Sequence, residues 1–149
     1  MGTFDRSEDV KLKLALISMC LAATAVPAAH AERDIQTWSI QEAMASENFQ
    51  DRLGDFQFVW GDTVNGQRVM STSTRKATNG INKSDRAACE WALLSALIAF
   101  KEQAEGMGAT SVQGIKSTAT GTPYSSTTEF QCITGWTNSR VYLEAEIVK

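Results

Sequence analysis

Apolar residues recur at helical spacing over positions 84–107. At about 100° per residue, Cys89, Leu93, Ala96, Phe100, Ala104 and Met107 fall on one stripe, widened by Ala92, Leu97 and Ala99. Alanine and leucine dominate the interior. Ser84 is placed to accept a bond from an unpaired N–H of the first turn, Asp85 complements the positive end of the dipole, and Gly106 and Gly108 are residues at which helices stop. The pattern predicts one long central helix. On its opposite side Trp91, Leu94 and Ile98 stand among Glu90, Lys101, Glu102 and Glu105, a second apolar stripe that needs a cover.

A shorter N-terminal helix over 39–53 is the expected cover. Ser39-Ile40-Gln41-Glu42 reads as a capping box, Ile40, Ala43, Met44 and Leu53 supply an apolar side, and Gly54 ends it. The other reading makes Trp91, Leu94 and Ile98 an interface for a partner protein or a second copy of the chain, since an apolar patch rimmed by charge marks such surfaces.

Period-two alternation marks the strands. Phe56, Phe58 and Trp60 predict a strand over 55–61; turn chemistry at 62–66 then returns the chain as a strand over 68–74, so the pair reads as a hairpin. Residues 32–38 read as a short polar N-terminus and 75–83 as a polar loop. Further strands are predicted over 111–117, 129–134 and 140–148. In the last, Val141, Leu143, Ala145 and Ile147 alternate with Tyr142, Glu144 and Glu146, the mark of a half-buried strand. Val112 and Ile115 have opposite parity, which predicts a bulge near Gly114. Residues 118–128, rich in Ser, Thr, Gly and Pro, read as an exposed loop. The fold class is α+β: a mainly antiparallel sheet packed by one long central helix and a shorter N-terminal helix.

The N-terminal composition changes the picture. Lys11 and Lys13 precede an apolar run over 12–26, followed by Pro27-Ala28-Ala29-His30-Ala31, the layout of a secretory signal peptide over 1–31 cleaved after Ala31. Bulky Met19 before Cys20 disfavours a lipoprotein. Removal of residues 1–31 from the 149 leaves 118, enough for a single α+β domain over 32–149. No stable membrane span is expected after cleavage, and the expected location is periplasmic or secreted. A net charge of −3, with no block of like charge, excludes nucleic acid as a partner. Cys89 and Cys132 then remain, in an oxidising compartment, and two cysteines allow one bridge, worth about 4 kcal/mol in the chain-entropy model.

His30 is the only histidine and departs with the signal peptide, which removes Ser-His-Asp, Cys-His and histidine-metal chemistry from the mature chain. Residues 61–68 have the spacing of a phosphate loop as far as Gly66, but Gln67-Arg68 stands where Lys and Ser/Thr are required. Asp51, Asp55 and Asp62, or Glu144 and Glu146, read as solubilising acids. No catalytic, cofactor-binding or metal-binding residue is assigned, and no cofactor is expected.

Lys76-Ala77-Thr78-Asn79-Gly80-Ile81-Asn82-Lys83-Ser84-Asp85, Ala88-Cys89-Glu90-Trp91-Ala92 and Leu94-Ser95-Ala96-Leu97-Ile98-Ala99-Phe100 resemble a family of small exported proteobacterial proteins commonly labelled "excinuclease ATPase subunit". The likeness extends through Ala104, Gly108-Ala109, Val112, Thr128-Glu129-Phe130-Gln131-Cys132 and Gly135. That label implies ATP hydrolysis and DNA repair. This chain has neither a Walker motif nor a zinc-binding cysteine set, so the resemblance implies architecture and compartment only. Gly108-Ala109-Thr110-Ser111-Val112, where a helix leads into a strand, is distantly similar to the turn of the YbjQ-type heavy-metal-binding domain family and of the sensor lipoprotein of the Rcs envelope-stress pathway; it departs at two positions and carries over no metal ligands.

The expected function is a non-enzymatic exported protein, binding or envelope-associated, stabilised by one disulfide, with a protein or envelope component or a second copy as the kind of partner. The alternative is a small histidine-free enzyme or enzyme inhibitor acting through the 118–128 loop.

Overall fold

An alternation of half-exposed and buried residues runs through β6 (Asn138–Val148) as far as Ile147, and the sheet is built outward from it. The structure, a computed structural model, describes residues 34–149; the expected signal peptide, 1–31, lies outside the described residues. One edge of β6 carries β3 (Arg68–Asn79) along its whole length, antiparallel from Arg68 opposite Val148 to Asn79 opposite Asn138. The other edge is shared. β4 (Ser111–Ser117) takes the C-terminal half, and β5 (Glu129–Thr134) takes the N-terminal half at Ile133 and Arg140. Outward from these, β2 (Gln57–Trp60) pairs with β4 in parallel and β1 (Asp34–Ser39) pairs with β5 antiparallel. The six-stranded sheet is therefore mixed.

The expected hairpin between 55–61 and 68–74 does not form. β2 is four residues long, too short to serve the eleven-residue β6, whereas the twelve residues of β3 match it. Instead of turning back, 61–67 crosses the end of the sheet, and Gln67 and Lys149 exchange backbone bonds of 2.9 and 3.0 Å. Gly66 makes this crossing feasible: its φ is +113°, and a Cβ there would lie 2.7 Å from the Lys149 carbonyl oxygen. Two segments read as irregular are also strands. β1 occupies most of 32–38, with Ile35 opposite Ile133 and Trp38 opposite Phe130. β3 continues through Arg75-Lys76-Ala77-Thr78-Asn79, because pairing with β6 supplies the backbone partners that a polar sequence does not advertise.

The long helix, α3 (Asp85–Gly106), begins as expected: the Ser84 hydroxyl accepts from the Ala87 N–H at 3.2 Å. Its end is closed by Gly108, at φ +65°, with the Ala109 N–H donating to the Ala104 carbonyl at 2.9 Å. Cys89, Leu93, Ala96, Phe100 and Ala104 are buried, together with Val112, Ile115, Phe130, Val141, Leu143 and Ile147 from the sheet. The early part of α3 is fastened to β5 by a disulfide between Cys89 and Cys132, 43 residues apart, with Cα atoms 5.9 Å from each other. No helix among the described residues is long and apolar enough to cross a membrane.

The single N-terminal helix over 39–53 is corrected to two short ones, α1 (Ile40–Met44) and α2 (Glu47–Leu53). Ser39 caps α1 as expected, accepting from the Glu42 N–H at 3.2 Å. At Ser46 the backbone turns extended, at φ −72° and ψ 146°. Its hydroxyl donates to the Ala43 carbonyl at 2.8 Å, using an acceptor that a continuous helix would bond to residue 47. The break lets Phe49 and Leu53 enter the core. The Lys101 ammonium then reaches the Leu53 carbonyl at 3.1 Å and closes the C-terminal end of α2.

Candidate functional site

The alternation of β6 gives the sheet two unlike faces. Val141, Leu143, Ala145 and Ile147 lie under α3, while Arg140, Tyr142, Glu144 and Glu146 point the other way and stay half-exposed. Register decides what joins them there. Ser73 and Lys116 flank Glu144 from β3 and β4, Ser71 and Gln113 flank Glu146, and Arg75 lies opposite Tyr142 with its guanidinium carbon 5.6 Å from the ring centre.

A cleft of about 510 Å³ opens on this face, between the crossing segment and β3, β4 and β6. Its charged lining is Asp62, Arg68, Lys116, Glu144 and Glu146, with hydroxyls from Ser71 and Ser73. Gly114 lets the crossing segment close onto the sheet: it sits at φ +63° in the bulge that shifts the β4–β6 register between Gln113 and Lys116, and a Cβ would fall 2.8 Å from Val64 Cγ2. The bulge expected from the parity of Val112 and Ile115 is thus part of the cleft.

Asp62 is the fixed point of one wall. Lys116 Nζ lies 2.8 Å from its Oδ1, and the Ser125 hydroxyl donates to its Oδ2 at 2.8 Å. These bonds, with that from Lys116 the larger, hold the Asp62 carboxyl below the usual carboxylate range. The same contact, partly offset by desolvation, raises the Lys116 ammonium above the ordinary lysine value. Both groups therefore stay charged across the neutral range. On the β3 side, the Ser71 hydroxyl lies 2.9 Å from both Glu146 oxygens. Arg68 and Glu144 have no ion-pair partner among the described residues.

The 118–128 loop is tied down at both ends of its second half. Tyr124 pairs with Ser117 through backbone bonds of 2.7 and 3.1 Å, and its hydroxyl donates to Glu129 at 3.2 Å, next to the Ser125 contact with Asp62. No residue of the loop lines the cleft; Ser125 touches its wall through Asp62.

The stripe of Trp91, Leu94 and Ile98 is divided by the structure. Leu94 is 1% exposed and belongs to the core, so the interface reading does not hold for it; Ile98 packs partly buried against the same core, and Trp91 remains 38% exposed. Phe49 lines a hollow of about 230 Å³ with Trp91 and Leu94 at the break between α1 and α2. Trp136, on the turn between β5 and β6, is 93% exposed. Asp62, Glu144 and Glu146, read from sequence as solubilising acids, are brought to one cleft, whereas Asp51 and Asp55 do not line it. No spacing rule joins position 62 to 116; only the parallel pairing of β2 with β4 does so.

Compared with known families, characterised proteins and solved structures, the chain matches no family model, no curated protein and no solved structure.

Proposed function

We propose that the protein is an exported, non-enzymatic binding protein, and that its ligand is a small polar molecule held in the cleft above β3, β4 and β6. The observation that carries this reading is the cleft's preorganised polar lining: about 510 Å³, within the range of small-molecule sites, with Asp62 held by Lys116 and Ser125 and Glu146 by Ser71. Export rests on the signal-peptide pattern over 1–31 and is supported by the disulfide, which suits an oxidising compartment. The resemblance of 76–100 and 128–135 to a small exported family points the same way.

The enzyme reading through the 118–128 loop finds less support. Ser125 is the loop hydroxyl nearest the cleft, but it donates to an ionised carboxylate, and the neighbouring Lys116 is kept protonated, so neither group is set to activate the other.

Titration of the isotope-labelled protein with a panel of polar small molecules tests the binding reading. Backbone amides at 71–73, 114–116 and 144–146 are expected to shift saturably with at least one class of compound. Shifts confined to the surroundings of Trp91 or Trp136, or none with any class, overturn it.

A further inference from the structure

We infer that the cleft's ligand is a short zwitterion of amino-acid to dipeptide size, its ammonium group taken by Glu144 and its carboxylate by Arg68. This rests on the cleft being the binding site and adds the chemistry of what enters it.

Five charged side chains line the cleft, and three of them are engaged. Lys116 and Asp62 neutralise each other at 2.8 Å, and Glu146 receives the Ser71 hydroxyl at both oxygens. That leaves the Arg68 guanidinium and the Glu144 carboxylate as the lining charges with neither an ion-pair nor a side-chain hydrogen-bond partner among the described residues, while Glu146 keeps its negative charge beside Glu144. A guanidinium presents paired donors that match a carboxylate, and a carboxylate accepts from an ammonium, so the two together select a molecule carrying both groups.

Their spacing sets the size. Arg68 stands opposite Val148 on β3, four positions along β6 from Glu144, so the two anchors lie about 13 Å apart at the usual strand rise. An arginine and a glutamate side chain are long enough to close much of that gap toward each other, which brings it to the scale of a free amino acid or an extended dipeptide. The ligand backbone then crosses the Ser71 and Ser73 hydroxyls. A lone divalent cation fits less well, because no three acidic side chains among the described residues converge on one point. A simple anion would meet Glu144 and Glu146, and a simple cation would meet Arg68 and Lys116; both are disfavoured by the same charges that select the zwitterion.

The test uses alanyl-alanine, its N-acetylated form and its C-terminal amide, each titrated into the isotope-labelled full-length protein while amide shifts are followed. The free dipeptide is expected to move the amides of 71–73, 116 and 144–146 saturably, and either cap to weaken binding tenfold or more. In Arg68→Gln the C-terminal amide should no longer bind worse than the free dipeptide, and in Glu144→Gln the acetyl cap should lose its effect; the remainder of each spectrum reports an intact fold. Equal binding of capped and free dipeptides, or a cleft response only to a sugar, a phosphate or another polar compound, overturns the zwitterion while leaving the cleft as the binding site. No response in the cleft to any compound overturns both.

Discussion

Leu94 and Trp91 are three residues apart on one helix and have opposite fates. Leu94 is 1% exposed because the break at Ser46 lets Phe49 turn into the core beside it; Trp91, at the rim of the same hollow, keeps 38% of its surface in water. Leu94→Glu places a carboxylate with no cation beside it in an apolar interior, and a loss of about 3–5 kcal/mol is expected in urea unfolding. Trp91→Ala should cost about 1 kcal/mol and leave the unfolding slope unchanged. Equal costs at the two positions would show that the N-terminal segment does not cover the helix in this way. From sequence the two side chains were indistinguishable, since both are large, apolar and flanked by charge. What separates them is Ser46, whose hydroxyl takes the Ala43 carbonyl and breaks a helix that capping and apolar spacing alone would continue.

Among the elements, those with a clear apolar pattern were legible: α3 from its alanine and leucine spacing, β4 and β5 to their observed limits, and β6 to within two residues. The partners that complete the sheet were not. β1 and the second half of β3 are polar and obtain their conformation from Phe130, Cys132 and Tyr142 on neighbouring strands, and the parallel pairing of β2 with β4 replaces the local hairpin that turn chemistry suggests. The cleft was hidden for the same reason, because its charges lie on three strands and a crossing segment. The disulfide ties two elements distant in sequence. In the chain-entropy model its 43-residue loop contributes about 4 kcal/mol, and measured values commonly fall between about 2 and 5. Replacing both Cys89 and Cys132 by Ser should therefore lower the thermal midpoint well beyond the shift from any single exposed substitution. An unchanged midpoint would mean that the helix and β5 are held together without it.

At the scale of the whole molecule, the helices cover one face of the sheet and the crossing segment partly roofs the other, so the side that carries the cleft is also the thinly protected side. The export reading belongs to this scale. Protein recovered from outside the cytoplasm should begin at Glu32 on N-terminal sequencing; retention of Met1 in that material would remove the compartment from the proposal. Of all the described strands, β6 is the last to be synthesised, and β3, β4 and β5 each need it as a neighbour. Until Asn138 and the residues after it become available, none of the three has its full set of partners, and Arg68 waits for Val148. Completion of this sheet therefore waits for β6, and its non-local pairings place it among slowly folding topologies. Under the export proposal that delay is an advantage: a central strand made after its neighbours leaves them without their full pairing while the chain is threaded through a membrane.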